Sequence, residues 1–220
     1  MKFKNYIWDF DGTLFDTYEF LTKSMQLALR ENGIEPDYEH LKNLIHLSVS
    51  DVISYYSMQY DVKREKISES YKKFSHKFDF NLIKPFNNIS KILRDISDNG
   101  GQNFVYTHRG SSIDTMLDFY DLKKYFVEIV DSTYNFPRKP EPDGANYLIE
   151  KYELNNEETI FIGDRELDIL CGKNASLKTC LFNKEKITDE CDYFIENFNN
   201  FDKMFLVENE DVNDDFYAFS

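Results

Sequence analysis

Two aspartates separated by one residue follow an apolar run near the start of the chain. Residues 6–8 are Tyr-Ile-Trp, Asp9 and Asp11 come next, and Gly12 interrupts the run. Side chains two positions apart on a strand point to the same face, so both carboxylates are expected together at the end of a buried strand. Close carboxylates repel each other unless a cation or a proton separates them. This spacing predicts oxygen ligands for a divalent metal, and a carboxylate nucleophile beside a carboxylic acid/base.

The elements that would position these aspartates follow from the pattern after Pro85. Apolar helix faces there alternate with short apolar strands, and a closing helix is expected near 198–206. Such alternation predicts an α/β fold, a Rossmann-like parallel sheet with helices on both faces. The predicted strands after the first lie at 103–107, 127–130, 159–163, 177–182 and 192–195.

Residues 17–82 show helical patterns and no convincing strand. Asp16 and Glu19 are spaced as the N-cap and its capping-box partner at the start of the first helix. This stretch is therefore predicted to be an all-helical cap domain inserted into the α/β core. The predicted division is a core of 1–16 and 83–206, a cap of 17–82 and an acidic tail of 207–220.

Residues that can do chemistry close four of the predicted strands. Asp9-Phe10-Asp11-Gly12 alone is equally consistent with a polar turn, because Asp and Gly are common turn residues. In parallel sheets, however, ligands bind at the carboxyl ends of the strands, so these four ends can converge on one crevice. The groups concerned are Asp9 with Asp11, Thr107-His108-Arg109, Lys139 in the loop 131–142, and Asp164 with Asp168.

In this order the motifs resemble those of the haloacid dehalogenase superfamily. The family pattern is Asp-x-Asp-Gly-Thr, a Ser or Thr ending the second motif, a Lys, and Gly-Asp-x-x-x-Asp. The chain matches it with residues 9–13, Thr107, Lys139, and residues 163–168, and the resemblance covers roughly residues 4–200. A helical cap between the first two motifs is similar to the phosphoglycolate phosphatase and β-phosphoglucomutase branch. True dehalogenases lack an aspartate at the position of Asp11, so its presence indicates phosphoryl transfer.

The resemblance implies roles for the carboxylates. Asp9 would be the nucleophile that forms an aspartyl-phosphate, and Asp11 would be the general acid and then the general base. Mg²⁺ would be held by the Asp9 carboxylate, the Asp11 backbone carbonyl and Asp164. Asp168 would be a further metal ligand or would orient the others.

The resemblance also implies which groups hold the phosphate. The Thr107 hydroxyl and the Lys139 ammonium would bind its oxygens. Relatives vary at the position of His108, and this residue is a candidate substrate contact only because it lies beside the motif. Taken singly, Thr107 could simply end a strand and Lys139 could be a solvated surface cation. It is their combination on consecutive strand ends that favours a catalytic interpretation.

The predicted function is a Mg²⁺-dependent phosphomonoester phosphatase acting on a small phosphorylated metabolite. A β-phosphoglucomutase-like sugar phosphomutase is the alternative, and a non-catalytic protein that senses phosphate or binds a partner is a third. The stretch 45–50, where many relatives carry a glycine-containing specificity loop, contains no glycine. Substrate choice in this branch depends on the cap, so no particular substrate is carried over.

Composition limits the partners. The chain has 220 residues, with 40 Asp and Glu against 26 Lys and Arg, and a formal net charge of −14. Nucleic-acid binders usually show a basic face, so no nucleic-acid partner is expected. An anionic small substrate would need a local positive site against the unfavourable overall field.

The location of the protein is predicted from segments and cysteines. No stretch approaches the length of a transmembrane helix, and the N-terminus lacks a cleavable signal pattern, so no membrane partner is expected. Three cysteines without a Cys-x-x-Cys pair fit free or buried thiols in a reducing cytoplasm better than disulfides or zinc. A monomer or a homodimer is expected.

Overall fold

Six parallel strands form the central sheet of the computed structural model, which describes residues 1–77, 79, 82–110 and 112–207. In chain order the eight strands of the described residues are β1 (Asn5–Trp8), β2 (Phe15–Asp16), β3 (Lys84–Pro85), β4 (Gln102–Tyr106), β5 (Phe126–Val130), β6 (Thr159–Gly163), β7 (Lys178–Phe182) and β8 (Tyr193–Ile195), of which β2 and β3 lie outside the central sheet. The order across the sheet is β5-β4-β1-β6-β7-β8. β1 is therefore paired on both sides, with β4 and with β6.

Eight helices accompany these strands in the described part of the chain. They are α1 (Tyr18–Glu31), α2 (Tyr38–Ile45), α3 (Val49–Tyr60), α4 (Arg64–Ser75), α5 (Ile89–Asp98), α6 (Ser112–Phe119), α7 (Asp143–Lys151) and α8 (Glu166–Asn174). The first four lie between β2 and β3, which pair with each other as an antiparallel two-stranded sheet. The two chain segments that connect the core to these four helices therefore lie side by side.

The sheet is apolar on both faces, as its alternating side chains require. Tyr6 and Trp8 of β1 pack into the core cluster that contains the apolar face of α5. Ile7, between them, packs into the opposite cluster with residues of α7 and α8. The predicted α/β fold, with a parallel sheet covered by helices on both faces, is confirmed.

One detail of the predicted elements is wrong, and another is made more specific. Asp16 is not a helix N-cap, because it pairs with Lys84 in the two-stranded sheet and Thr17 occupies the N-cap of α1. The closing helix near 198–206 is a 3-10 turn followed by the π-helical turn Asp202–Leu206. There, Phe198, Phe201 and Phe205 are all buried, and this aromatic anchoring sets the local backbone in place of a regular α-helix.

The C-terminal tail and the cysteines were also subjects of prediction. The predicted acidic tail lies outside the described residues, apart from Val207. Cys171, Cys180 and Cys191 are free, as predicted, and the first two are buried. None of the described helices combines the length and the apolar character needed to cross a membrane.

Candidate active site

A buried lysine lies between two buried aspartates at the carboxyl end of β1. Asp9 extends this strand, since its backbone N–H donates to the Ile162 carbonyl at 2.8 Å. Lys139 Nζ donates to Asp9 Oδ1 at 2.6 Å and to Asp168 Oδ1 at 2.7 Å, and none of the three side chains is more than 2% exposed. Asp168 also caps α8, because its Oδ2 accepts the backbone N–H of Arg165 at 3.1 Å.

The charges of this group are strongly perturbed. Burial raises the pKa of Asp9 to about 6, although Lys139 opposes the rise. Burial acts in the same direction on Asp168, but Lys139 and Arg165 hold the pKa of its carboxyl below the ordinary value. Burial would lower the pKa of Lys139, and the two carboxylates more than reverse that effect. Near neutral pH, Lys139 and Asp168 are therefore charged and Asp9 is mostly ionised.

Asp164, which follows β6, lies close to this group and is held by the start of α1. The Tyr18 hydroxyl donates to Asp164 Oδ2 at 2.6 Å. Gly12 allows the approach, because it has φ +83° and a Cβ there would lie 2.3 Å from Asp164 Oδ2. Burial, followed by the charges of Asp168 and Asp9, raises the pKa of the Asp164 carboxyl well above its ordinary value.

Three of the buried carboxylates are arranged so that they can hold a metal ion. Oxygens of Asp9, Asp164 and Asp168 all lie within 4.8 Å of one another. Asp9 Oδ2 is buried and has no hydrogen-bond partner among the described residues. Carboxylate oxygens are the ligands that a hard divalent cation prefers, and such a cation would satisfy this oxygen and relieve the repulsion. The donor set therefore fits Mg²⁺.

Asp11 faces the same cavity but is held separately from that cluster. Its Oδ1 accepts the Thr17 hydroxyl at 2.6 Å, and Arg109 Nε lies 3.0 Å from each of its carboxylate oxygens. The Arg109 side chain is only 7% exposed, and it also donates to Ser112 Oγ. Paired charges of this kind fix a carboxylate in one orientation.

Thr107 and His108 follow β4. The Thr107 backbone N–H donates to Val130, and its hydroxyl accepts the Arg109 N–H at 3.1 Å. His108 Nε2 accepts the backbone N–H of Lys139 at 3.1 Å, and burial followed by Lys139 lowers the pKa of the imidazole to about 3. His108 is therefore neutral near pH 7, with one ring nitrogen engaged in positioning the Lys139 backbone.

A cavity of about 470 Å³ opens in front of these groups, between the strand ends and the inserted helices. Asp9, Asp11, Thr107, His108 and Arg109 line it on the core side. One hydrogen bond crosses from α8 to the α2–α3 connection, from Arg165 Nη1 to the Leu47 carbonyl at 3.2 Å. The glycine-free stretch 45–50 contributes four lining residues, Ile45, Ser48, Val49 and Ser50.

The structure thus brings together every residue selected from the sequence. Lys139, Asp164 and Asp168 are buried beside Asp9, and the other selected residues line the cavity. The sequence did not indicate that Tyr18 bonds to Asp164. The one sequence feature that could have indicated this contact is the position of Tyr18, at the start of a helix that follows the Asp-x-Asp-Gly-Thr loop closely and therefore begins near the site.

The four motifs of this site lie within a region that matches a known protein family. The family model described as haloacid dehalogenase-like hydrolase matches residues 6–182, which span all four predicted motifs. The chain belongs to the haloacid dehalogenase-like hydrolases. The prediction of this superfamily, and of a hydrolase of the phosphatase type, is therefore confirmed.

Individual relatives of this haloacid dehalogenase-like chain include both sequences and solved structures. The protein named pyrophosphatase PpaX of Bacillus cereus strain B4264 is 25% identical over 182 residues, covering 81% of this chain and 82% of that one. A hydrolase from Streptococcus pneumoniae TIGR4 is 34% identical, with a TM-score of 0.61, and covers 83% of this chain and 94% of that one. A predicted phosphoglycolate phosphatase from Haemophilus somnus 129pt, at 18% identity and a TM-score of 0.81, covers 93% and 98%. This last likeness concerns the fold.

Proposed function

We propose that the chain hydrolyses phosphomonoesters of a small metabolite through an aspartyl-phosphate on Asp9, with Mg²⁺ as cofactor. The observation that carries the proposal is the Asp9 carboxylate itself. It is buried at the end of the central strand, lies 2.6 Å from the Lys139 ammonium, and leaves one oxygen without a partner among the described residues. This carboxylate also lines the cavity where a substrate would enter.

Asp9 and Asp164 would hold the metal, together with the Asp11 backbone carbonyl proposed from the resemblance. When bound, Mg²⁺ supplies positive charge that offsets the phosphate and the carboxylates. Both Asp168 oxygens already accept hydrogen bonds, from Lys139 and from the Arg165 backbone. Its contacts favour the role of orienting Lys139 over direct ligation.

Lys139 and Thr107 would bind the phosphoryl oxygens. An ammonium has three N–H donors, and two of those on Lys139 are used by Asp9 and Asp168, so one remains for the substrate. Because the Lys139 side chain is fully buried, its charge is little screened and stabilises the negative charge that develops on the phosphoryl group.

The chemical steps balance with the residues at hand. The Asp9 carboxylate attacks phosphorus, the bond to the leaving oxygen breaks, and that oxygen takes the proton of Asp11, which must enter this step as the neutral carboxylic acid. Water then attacks the phosphorus of the aspartyl-phosphate and gives a proton to Asp11, which regenerates Asp9 and releases inorganic phosphate. Thr17 and Arg109 keep Asp11 facing the cavity for both proton transfers.

The test measures phosphate release from an aryl phosphate with Mg²⁺ and with a chelator. Asp9→Asn is expected to lower turnover at least about a thousandfold, and chelation is expected to stop it. Asp189→Asn is the matched control, because the Asp189 side chain is 97% exposed. Wild-type turnover by Asp9→Asn would contradict the aspartyl-phosphate mechanism.

A substrate panel separates the alternatives. A β-phosphoglucomutase-like enzyme would use the same Asp9 step but convert β-glucose 1-phosphate, in the presence of a bisphosphate primer, without releasing phosphate. Tight binding of phosphorylated ligands with no turnover of any of them would favour a non-catalytic sensor. Inorganic pyrophosphate belongs in the panel because relatives such as the Bacillus cereus protein are named pyrophosphatases.

A further inference from the structure

The wall of the cavity opposite Asp9 is built from one face of α4. Its lining residues are spaced as i, i+4, i+7, i+8, i+11 and i+12, which is one continuous stripe of a helix. They are Arg64, Ser68, Tyr71, Lys72, Ser75 and, just beyond the helix end, His76. A helix stripe of hydroxyls and cations that faces a cavity has the composition of a ligand surface, since a packing surface would be apolar.

Charge is segregated on this helix. The two acids of α4, Glu65 and Glu69, do not line the cavity, although each is the immediate neighbour of a residue that does. The cavity as a whole is lined by five Lys and Arg residues and by two carboxylates, Asp9 and Asp11, both on the core side. In a chain of net charge −14, this cavity therefore carries the opposite sign.

Of the five cavity cations, Arg64, Lys72 and Arg138 form no ion pair with a described residue, and the first two lie on α4. Arg109 is paired with Asp11, and Arg165 Nε lies 3.9 to 4.0 Å from Asp168 and Asp164. Arg64 instead bonds to oxygens of Ser50 and Ser54, and Lys72 makes no ion pair with any described residue. Arg64 is thus held by neutral groups, and three of its five N–H donors are used, so two remain free for a ligand.

We infer that Arg64 and Lys72 form a second anion subsite, which recognises a phosphate or carboxylate on the leaving group of the substrate. The inference rests on the proposed function, in which the first phosphoryl group lies against Asp9 and Lys139. The substrate class is then a small phosphomonoester with a second anionic group at its other end. Charge-assisted hydrogen bonds to Arg64 and a point charge from Lys72 would supply selectivity over neutral esters.

The test measures binding of phosphonates, so that it does not depend on turnover. Their carbon–phosphorus bond is not a phosphoester, and three of them share one chain length: butylphosphonate with a neutral end, phosphonobutyrate with a carboxylate, and a bisphosphonate. Calorimetry at fixed free Mg²⁺ is expected to show the two ligands that carry a second anionic group binding about tenfold or more tightly than butylphosphonate. The stronger of the two identifies whether carboxylate or phosphate is preferred.

Variants connect that preference to α4. In Arg64→Met and in Lys72→Met, the affinity for the ligands with a second anionic group, relative to the affinity for butylphosphonate, is expected to fall about tenfold. Lys66→Met is the matched control, since Lys66 lies on the same helix, carries the same charge and does not line the cavity. Arg64→Met removes hydrogen bonds to Ser50 and Ser54 of α3 and could therefore disturb folding. Lys72→Met is the second variant because Lys72 makes none of these bonds.

Each outcome bears on the inference separately from the chemistry. Equal affinity of the wild-type protein for all three phosphonates would overturn it, as would an equal loss in Lys66→Met. A strong preference lost only in the Arg64 and Lys72 variants would support it. If the proposed hydrolysis failed while this preference held, the proposed function would be wrong and the anion subsite would stand.

Discussion

Replacing Lys139 by methionine should destabilise the protein as well as inactivate it. Methionine keeps much of the length of lysine but removes the ammonium that lies 2.6 Å from Asp9 and 2.7 Å from Asp168. Both carboxylates are buried, so neither can be solvated once the ammonium is lost. Removing one partner of a buried ion pair costs about 3–5 kcal/mol, because a charge is left uncompensated.

The same change acts on Asp9, the proposed nucleophile. Lys139 lowers the pKa of Asp9, which burial raises to about 6, so without the ammonium this pKa rises further. Less Asp9 is then ionised at pH 7, and the acid limb of the pH–rate profile moves to higher pH. Loss of one preorganised charge at the phosphoryl group is expected to lower turnover by a further factor of about 100 to 1000.

Urea unfolding at pH 7 in chelator measures the stability, and phosphate release from an aryl phosphate measures the activity. Lys139→Met combined with Asp168→Asn removes one of the uncompensated carboxylates and should recover about 1–3 kcal/mol without recovering activity. Lys151→Met is the control, because Lys151 forms a partly exposed pair with Glu128 and should lose less than about 1 kcal/mol.

Two results would refute this reasoning about charge. One is a Lys139→Met protein as stable as the control variant. The other is a double variant no more stable than Lys139→Met alone, which would mean that repulsion between the carboxylates is not what the lysine relieves.

Three further predictions concern the carboxylate cluster. Gly12→Ala should destabilise the protein by more than Gly33→Ala does, because both glycines have positive φ but only at Gly12 would a Cβ collide with Asp164; urea unfolding compares the two variants. Tyr18→Phe should raise the Mg²⁺ concentration needed for half-maximal turnover about tenfold, because it removes the hydroxyl that orients Asp164. In chelator, the contribution of Asp9 to the unfolding free energy should fall by about 2.4 kcal/mol as pH rises from 4 to 7, because the pKa of Asp9 is about 6 in the folded protein and 3.8 for an unperturbed aspartate; Asp9→Asn supplies the reference curve, and Mg²⁺ should flatten the wild-type one.

Contrary outcomes are equally specific. Equal destabilisation by the two glycine variants would mean that the loop relaxes around a Cβ at Gly12. An unchanged Mg²⁺ dependence in Tyr18→Phe would show that Asp164 is held by other groups. A wild-type stability that rises with pH, relative to Asp9→Asn, would mean that the Asp9 pKa is lowered in the folded protein.

The parallel sheet and the convergence of the motifs could be predicted because they depend on strong local signals. Apolar strands ending in Asp9, Thr107 and Asp164 can meet only at one edge of such a sheet. The contacts of Tyr18 and Arg109 could not be predicted in the same way. Each depends on how a helix outside the central sheet, or a turn after a strand, is placed in three dimensions, and no periodicity encodes that placement. The α4 stripe could not be predicted for a related reason, because the spacing of its polar residues does not indicate which surface they face.

Asp9 and Asp11 differ in the local stability of the backbone that carries them, because only Asp9 directly extends the central strand β1. Asp9 extends a strand hydrogen-bonded on both sides, so its backbone can be released only when the sheet itself opens. Asp11, two residues later, is joined to Phe15 by an isolated bridge and lies in a tight turn. Amide hydrogen exchange should therefore be slowest before Asp9 and faster from Asp11 onward. The proposed nucleophile is thus attached to a strand of the central sheet, while the proposed proton donor is carried by a segment that can open independently.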